Sequence, residues 1–217
     1  MIKYIILAAS LVLFSACSFF STPKNEWQIK SVNAYESYQN YFLTDEQNLA
    51  DADIKRAINY AKQSADLETL ARIELARCAL HIGVLEDDSC QEYLKLEQVA
   101  VSDEMHSYYL FLQNKLGPDE IKNLPPKYRA FATYKLKSDY DNANKEIDKM
   151  DTIVSKMISA SLIKEHLDVD TVRAIIDDTS YYGYKKAAIN WMKFYSTILE
   201  NTKEKDVVHK KLKILND

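Results

Sequence analysis

Glycine and proline are nearly missing from this chain, with three Gly and four Pro in 217 residues. Strands are joined by tight turns, and tight turns rely on Gly, Pro and Asn-Gly steps. No Asn-Gly step occurs, so an antiparallel sheet has few places to reverse. Also absent are HExxH, GxSxG, the phosphate-binding P-loop and the Gly-rich dinucleotide turn. The four histidines, His81, His106, His166 and His209, lie far apart in sequence. Glu165 and His166 are neighbours, which on a helix point about 100° apart and form no dyad. Acidic pairs such as Glu86-Asp87-Asp88 and Asp177-Asp178 read as solvated turns or helix faces. An excess of positive charge is lacking too: the net charge is −4, which argues against a general nucleic-acid binder.

What fills the chain instead is Ala, Leu, Lys, Glu and Ile in long periodic stretches. This composition predicts an all-α fold of ten to twelve short helices in antiparallel pairs, over residues 26–217. Local punctuation divides it. Thr44 with Gln47 forms a capping box ahead of a helix at 48–64. Gly83 is a helix stop. Gly117-Pro118 ends one helix and opens a short one, and Pro125-Pro126 opens another.

The N-terminus reads as an export signal. Lys3 is followed by an apolar run over residues 4–14, broken only by Ser10. That run is too short to span a membrane, which takes roughly 20 residues. Phe14-Ser15-Ala16-Cys17 comes next, and this resembles the lipobox of bacterial lipoproteins, with Phe14 where Leu is usual. The resemblance implies that residues 1–16 are removed as a signal peptide and that Cys17 carries diacylglycerol and a further acyl group. It also implies a membrane partner through that anchor, in the outer membrane and facing the periplasm, since Ser18 rather than Asp follows the cysteine. The competing reading is an ordinary secretory signal cleaved near Ala16, with Cys17 free. Residues 17–25 form the lipidated cysteine and a tether. Removing 1–16 takes away Lys3 alone among the charges and moves the net from −4 to −5.

Two cysteines remain. In an oxidising compartment Cys78 and Cys90 read first as a disulfide. Residues 67–82 carry an apolar stripe at Leu67, Ala71, Leu75, Cys78 and Ile82, one helical face. Ser89 with Glu92 makes a second capping box, so Cys90 begins the next helix and the sulfurs meet across a hairpin. The alternative is a metal site built on Cys78 and His81, four-ligand chemistry for which only Cys90 is nearby. His81 falls on the polar side with Glu74 and Arg77, so the disulfide is preferred and no metal or other cofactor is expected.

Two internal echoes occur. "DADIKRAI" at 51–58 matches "DVDTVRAI" at 168–175, and Ala71 and Ala188 continue the register. "AFATYKLKSDYDNANKEIDKM", residues 130–150, resembles a tetratricopeptide repeat. Tyr134 stands at the first-helix aromatic, Ser138-Asp139 at the turn, Tyr140 and Ala143 in the second helix, and Ile147 at the large apolar position. Lys127 replaces the usual Trp, Ser155 the closing Pro, and the turn lacks its Gly. "AINYAKQSA" at 57–65 looks like another second helix. The resemblance implies a TPR-like α-solenoid without a regular array.

Aromatic residues cluster at Tyr35–Phe42, at Tyr108–Phe111 and at 181–195. Two readings apply: hairpin packing with hydroxyls at the surface, which is favoured, or a peptide groove. Tyr181, Tyr182, Tyr184, Trp191 and Tyr195 form the best candidate for a partner surface. The Lys-rich tail, "KEKDVVHKKLKIL", reads as the solvated face of a closing helix rather than a membrane-surface helix. The function expected is a non-enzymatic scaffold for an envelope protein, alongside pilotins and lipoproteins of outer-membrane assembly. No nucleic-acid or small-molecule partner is evident. The rival expectation is a periplasmic enzyme or binding protein acting on cell-wall or sugar substrates.

Overall fold

Residues 25–99 and 102–216 are described by the computed structural model; the lipobox, Cys17 and nearly all of the tether lie outside them. Among the described residues there are helices and no strand. In chain order they are α1 (Glu26–Leu43), α2 (Gln47–Gln63), α3 (Leu67–Gly83), α4 (Gln91–Leu94) and α5 (Asp103–Leu112). Next come α6 (Pro126–Leu136), α7 (Tyr140–Asp148), α8 (Ile153–Ser161), α9 (Val169–Tyr181), α10 (Lys185–Ile198) and α11 (Thr202–Asn216). Short 3₁₀ turns span Pro118–Asn123 and Lys164–His166. No helix among them is long and apolar enough to cross a membrane.

One device ends six of these helices. Asp45, Ala65, Leu85, Asn114, Ser138 and Gly183 all have φ between +51° and +72°. In each case the residue that follows donates its N–H to the carbonyl five positions back, as Glu46 does to Tyr41 (2.8 Å) and Asp139 to Tyr134 (3.0 Å). The left-handed residue itself bonds three back, as Ser138 does to Lys135 (2.9 Å). This is the Schellman closure, which usually takes glycine at the left-handed position. Only Gly183 supplies one here. Four of the six closures make three-residue connections, at 44–46, 64–66, 137–139 and 182–184. Connections this short set consecutive helices against each other, and α1/α2, α6/α7 and α9/α10 pack extensively. In two of the turns the third residue also caps the next helix: Asp66 accepts from the Thr69 N–H (2.9 Å) and Asp139 from the Asn142 N–H (3.3 Å).

Neither capping box read from the sequence forms, the first because of such a closure and the second because it falls in the disulfide loop. Thr44 closes α1, with its hydroxyl donating back to the Asn40 carbonyl (3.0 Å), and Glu46 stands at the start of α2. Ser89 lies in the disulfide loop and accepts from the Gln91 amide side chain, while left-handed Cys90 precedes the single-turn helix α4.

The α3 helix is the centre of the molecule. Sequence periodicity gave it one apolar face, yet Leu70, Ile73, Leu75, Ala76, Ala79 and Leu80 are buried along with Ala71 and Cys78, while Leu67 is exposed. It packs against α1, α2, α4, α5 and α8. Charged residues on its remaining side are drawn in as well. Arg72 is buried and paired with Glu68 and Glu104 (3.1 and 3.5 Å). Glu74, read as solvated, is buried beside Arg77, and that burial raises its carboxyl above the usual range. Gly83 has a packing role instead of a left-handed one. A Cβ there would lie 3.2 Å from Ile158 Cγ1, and its carbonyl accepts from Trp191 Nε1 (3.0 Å).

In the α6/α7 pair Ala143 and Ile147 are buried as the repeat-like expectation requires, but Tyr134 and Tyr140 are only half-buried, and Phe131 and Ala132 are the buried residues of α6 there. The 51–58 and 168–175 echo does not place equivalent residues in equivalent settings. Asp53 and Ala57 are buried in α2, whereas Asp170 and Ala174 are exposed in α9. The tail forms α11, with Val208 and Leu212 buried and the lysines outward.

Candidate functional site

Of the five aromatic residues nominated from the sequence, the fold divides two from three. Along α10 the spacing Ala187, Trp191, Tyr195 puts one stripe inward, and all three are buried. The Trp191 ring is fully enclosed and meets Phe194 edge-on at 5.9 Å. The Tyr195 hydroxyl donates to Glu204 on α11 (2.7 Å) and accepts from Arg173 on α9, fastening the last helix. Burial therefore moves Trp191 and Tyr195 into the core. Tyr181 and Tyr182, by contrast, stand on the α9/α10 turn at 84% and 52% exposure. Their rings meet edge to face at 5.2 Å, and Tyr182 stacks on half-buried Tyr184 at 5.7 Å. Burial raises the Tyr184 hydroxyl pKa above the ordinary tyrosine value. Gly183 holds the turn open, with φ +71° and nothing within 4 Å of a Cβ built there. Lys185 beside it faces Asp45 of the α1/α2 turn at 4.0 Å.

The two cysteines are bonded: Cys78 and Cys90 form a disulfide with Cα atoms 5.2 Å apart, closing a sequence separation of 12. Their sulfurs and an Asp88 oxygen lie within 4.8 Å of one another, but a disulfide offers no thiolate to a metal. His81 is engaged elsewhere. Its Nδ1 lies 2.9 Å from Glu86 and its Nε2 3.1 Å from the Tyr38 hydroxyl, while its ring stacks on Phe42 at 4.7 Å. Lys186 completes the cluster, pairing with Glu86 (2.8 Å) over the Phe42 ring. Burial pushes the imidazole below its ordinary value, partly offset by the Glu86 charge.

A second feature left no trace in the sequence. Where α3, α5, α6 and α8 end, two cavities of about 350 and 260 Å³ share Asn114, Ser161, Leu162 and Lys164 in their walls. The larger one is lined beyond these by Lys135, Tyr140, Ile163, Glu165 and His166, whose ring lies flat on Tyr140 at 3.7 Å. The smaller one is lined by Glu86, Asp87 and Asp88 of the disulfide loop. Helix ends distant in sequence build this groove, so no motif spacing announces it.

No protein-family model, no curated protein and no solved structure matches the chain.

Proposed function

We propose that this chain is a non-enzymatic lipoprotein, held by acyl chains on Cys17 at the outer membrane and facing the periplasm. Its helical domain acts as a TPR-like α-solenoid that contacts another envelope protein through the Tyr181–Tyr184 turn. The observation that carries this is the pair of large aromatic rings left in solvent at a turn whose neighbours, Trp191 and Tyr195, are buried. Tyr contributes wide contact area at low entropic cost, and it is enriched where partners bind. The disulfide agrees with an oxidising compartment.

The test has two arms. Cys17→Ala should leave unprocessed precursor and remove sensitivity to globomycin; mature-size, membrane-bound protein in that variant would refute the anchor. In crosslinked envelopes, Tyr181→Ala/Tyr182→Ala should lose the partner captured by the native chain. Unchanged capture of the same partner by the double variant would remove the turn from the contact.

A further inference from the structure

The groove at the helix ends is unevenly charged: Lys135 and one carboxylate, Glu165, line one end, three carboxylates line the other, and Lys164 stands between them. At one end Lys135 lines the larger cavity from the last turn of α6. It is half-buried, and desolvation lowers its amine pKa with no carboxylate to offset the effect. Glu165 lines the same cavity, but among the described residues no carboxylate is paired with the Lys135 ammonium, which therefore lacks the close counter-charge that buried charges ordinarily require. Beside it the stacked Tyr140 and His166 rings form a flat wall. At the other end Glu86 is already neutralised by Lys186, whereas Asp87 is exposed. The Asp88 carboxylate accepts only a backbone N–H, from Cys90 (2.7 Å). Between the two lies the shared wall of Asn114, Ser161, Leu162 and Lys164. The larger cavity lies in the size range of small-ligand sites, about 300–1,000 Å³.

We propose that this groove binds a short zwitterionic peptide, with its carboxylate at Lys135 and its ammonium at Asp87 and Asp88. A neutral sugar would leave both ends unanswered, and a simple anion would answer only one. A peptide answers both and can pair its backbone amides with the polar side chains of the wall. The groove is separate from the Tyr181–Tyr184 turn, and neither reading depends on the other.

The test uses the purified full-length chain at low salt, titrated with trialanine and pentaalanine and followed by amide NMR shifts. Expected are shifts at Asn114, Ser161 and Lys164, and binding at least about tenfold weaker for the C-terminal amide and the N-acetyl forms, the loss typical of one charge-assisted hydrogen bond. Lys135→Met should weaken the free peptide about tenfold and leave its C-terminal amide unaffected. Asp87→Asn/Asp88→Asn, which keeps an acceptor for the Cys90 N–H, should do the same for the free and N-acetyl forms. No shift with either peptide, equal binding of the blocked forms, or inorganic phosphate displacing the peptide with equal strength would overturn the proposal.

Discussion

Replacing Ala65 by glycine should stabilise this protein, the reverse of what Ala→Gly does inside a helix. Ala65 sits at φ +51° in the turn between α2 and α3, and its methyl is exposed. A non-glycine residue in left-handed backbone costs about 1–2 kcal/mol through contact of Cβ with the following carbonyl oxygen. Glycine relieves that and adds unfolded-state entropy costing about 0.5–1 kcal/mol. The methyl removed contributes little, being in water already. The net expected is a gain of about 0.5–1 kcal/mol, or an increase of roughly 1–4 °C in Tm for a domain of this size. Two comparisons sharpen the sign. Ala57→Gly removes the same methyl from a fully buried site inside α2 and should lose about 1 kcal/mol or more. Leu85→Gly relieves the same left-handed strain at φ +64° but gives up a side chain packed on the core, and should fall between them. Urea denaturation at unchanged m-value reads the difference as a shift in midpoint. A lower midpoint for Ala65→Gly would show that the closure is not strained and refute the reasoning.

Three further outcomes are expected. Cys78→Ser/Cys90→Ser should lose about 3 kcal/mol on the chain-entropy estimate for so short a loop, and two freely alkylated thiols in the unreduced native protein would deny the bond altogether. Trp191→Ala should cost about 3–5 kcal/mol while Tyr181→Ala stays within about 0.5 kcal/mol, so equal losses in calorimetry would contradict the division between core and surface. His81 has its pKa depressed in the folded state, so the unfolded chain binds the proton first. Stability should therefore be full above the ordinary histidine value and fall as pH drops through the folded one; His81→Gln should flatten that slope between pH 7 and 5 in denaturation midpoints, and an unchanged slope would assign it to other groups.

The scarcity of Gly and Pro made the helical class legible, and periodicity placed α2 and α3 within a residue or so of their ends. Pro126 opened α6 as read, and α7 took the expected small and large residues inside. The two capping boxes failed for different reasons. At Thr44 the competing Schellman closure is decided by the helix that ends there, whereas Ser89 lies in the loop that the disulfide closes. Asp45 and Cys90 have no glycine to signal their left-handed backbone. The face of α3 was misread because amphipathic patterning assumes one solvent side, and this helix is covered by five others. In the aromatic cluster, the i, i+4 spacing of Ala187, Trp191 and Tyr195 already marked a buried stripe. The groove was beyond reach, since its walls meet only after α3, α5, α6 and α8 have converged.

The bond from Trp191 to the Gly83 carbonyl joins residues 108 apart, and Asn190 makes a parallel bond to the Val84 carbonyl (3.0 Å). The helix that is central to the core is thus capped by one made near the end of the chain. A polypeptide delivered N-terminus first can form the α1/α2 hairpin early, but α3 keeps an uncovered end until α10 has emerged. At about 5–20 residues per second, that interval is on the order of 5–20 s. During it, the surface around Gly83, Ile158 and Cys78 is open to solvent, to holding chaperones and to oxidants. The disulfide between Cys78 and Cys90 needs only residues 12 apart in sequence, so its closure does not depend on the tryptophan that later buries that end of the helix.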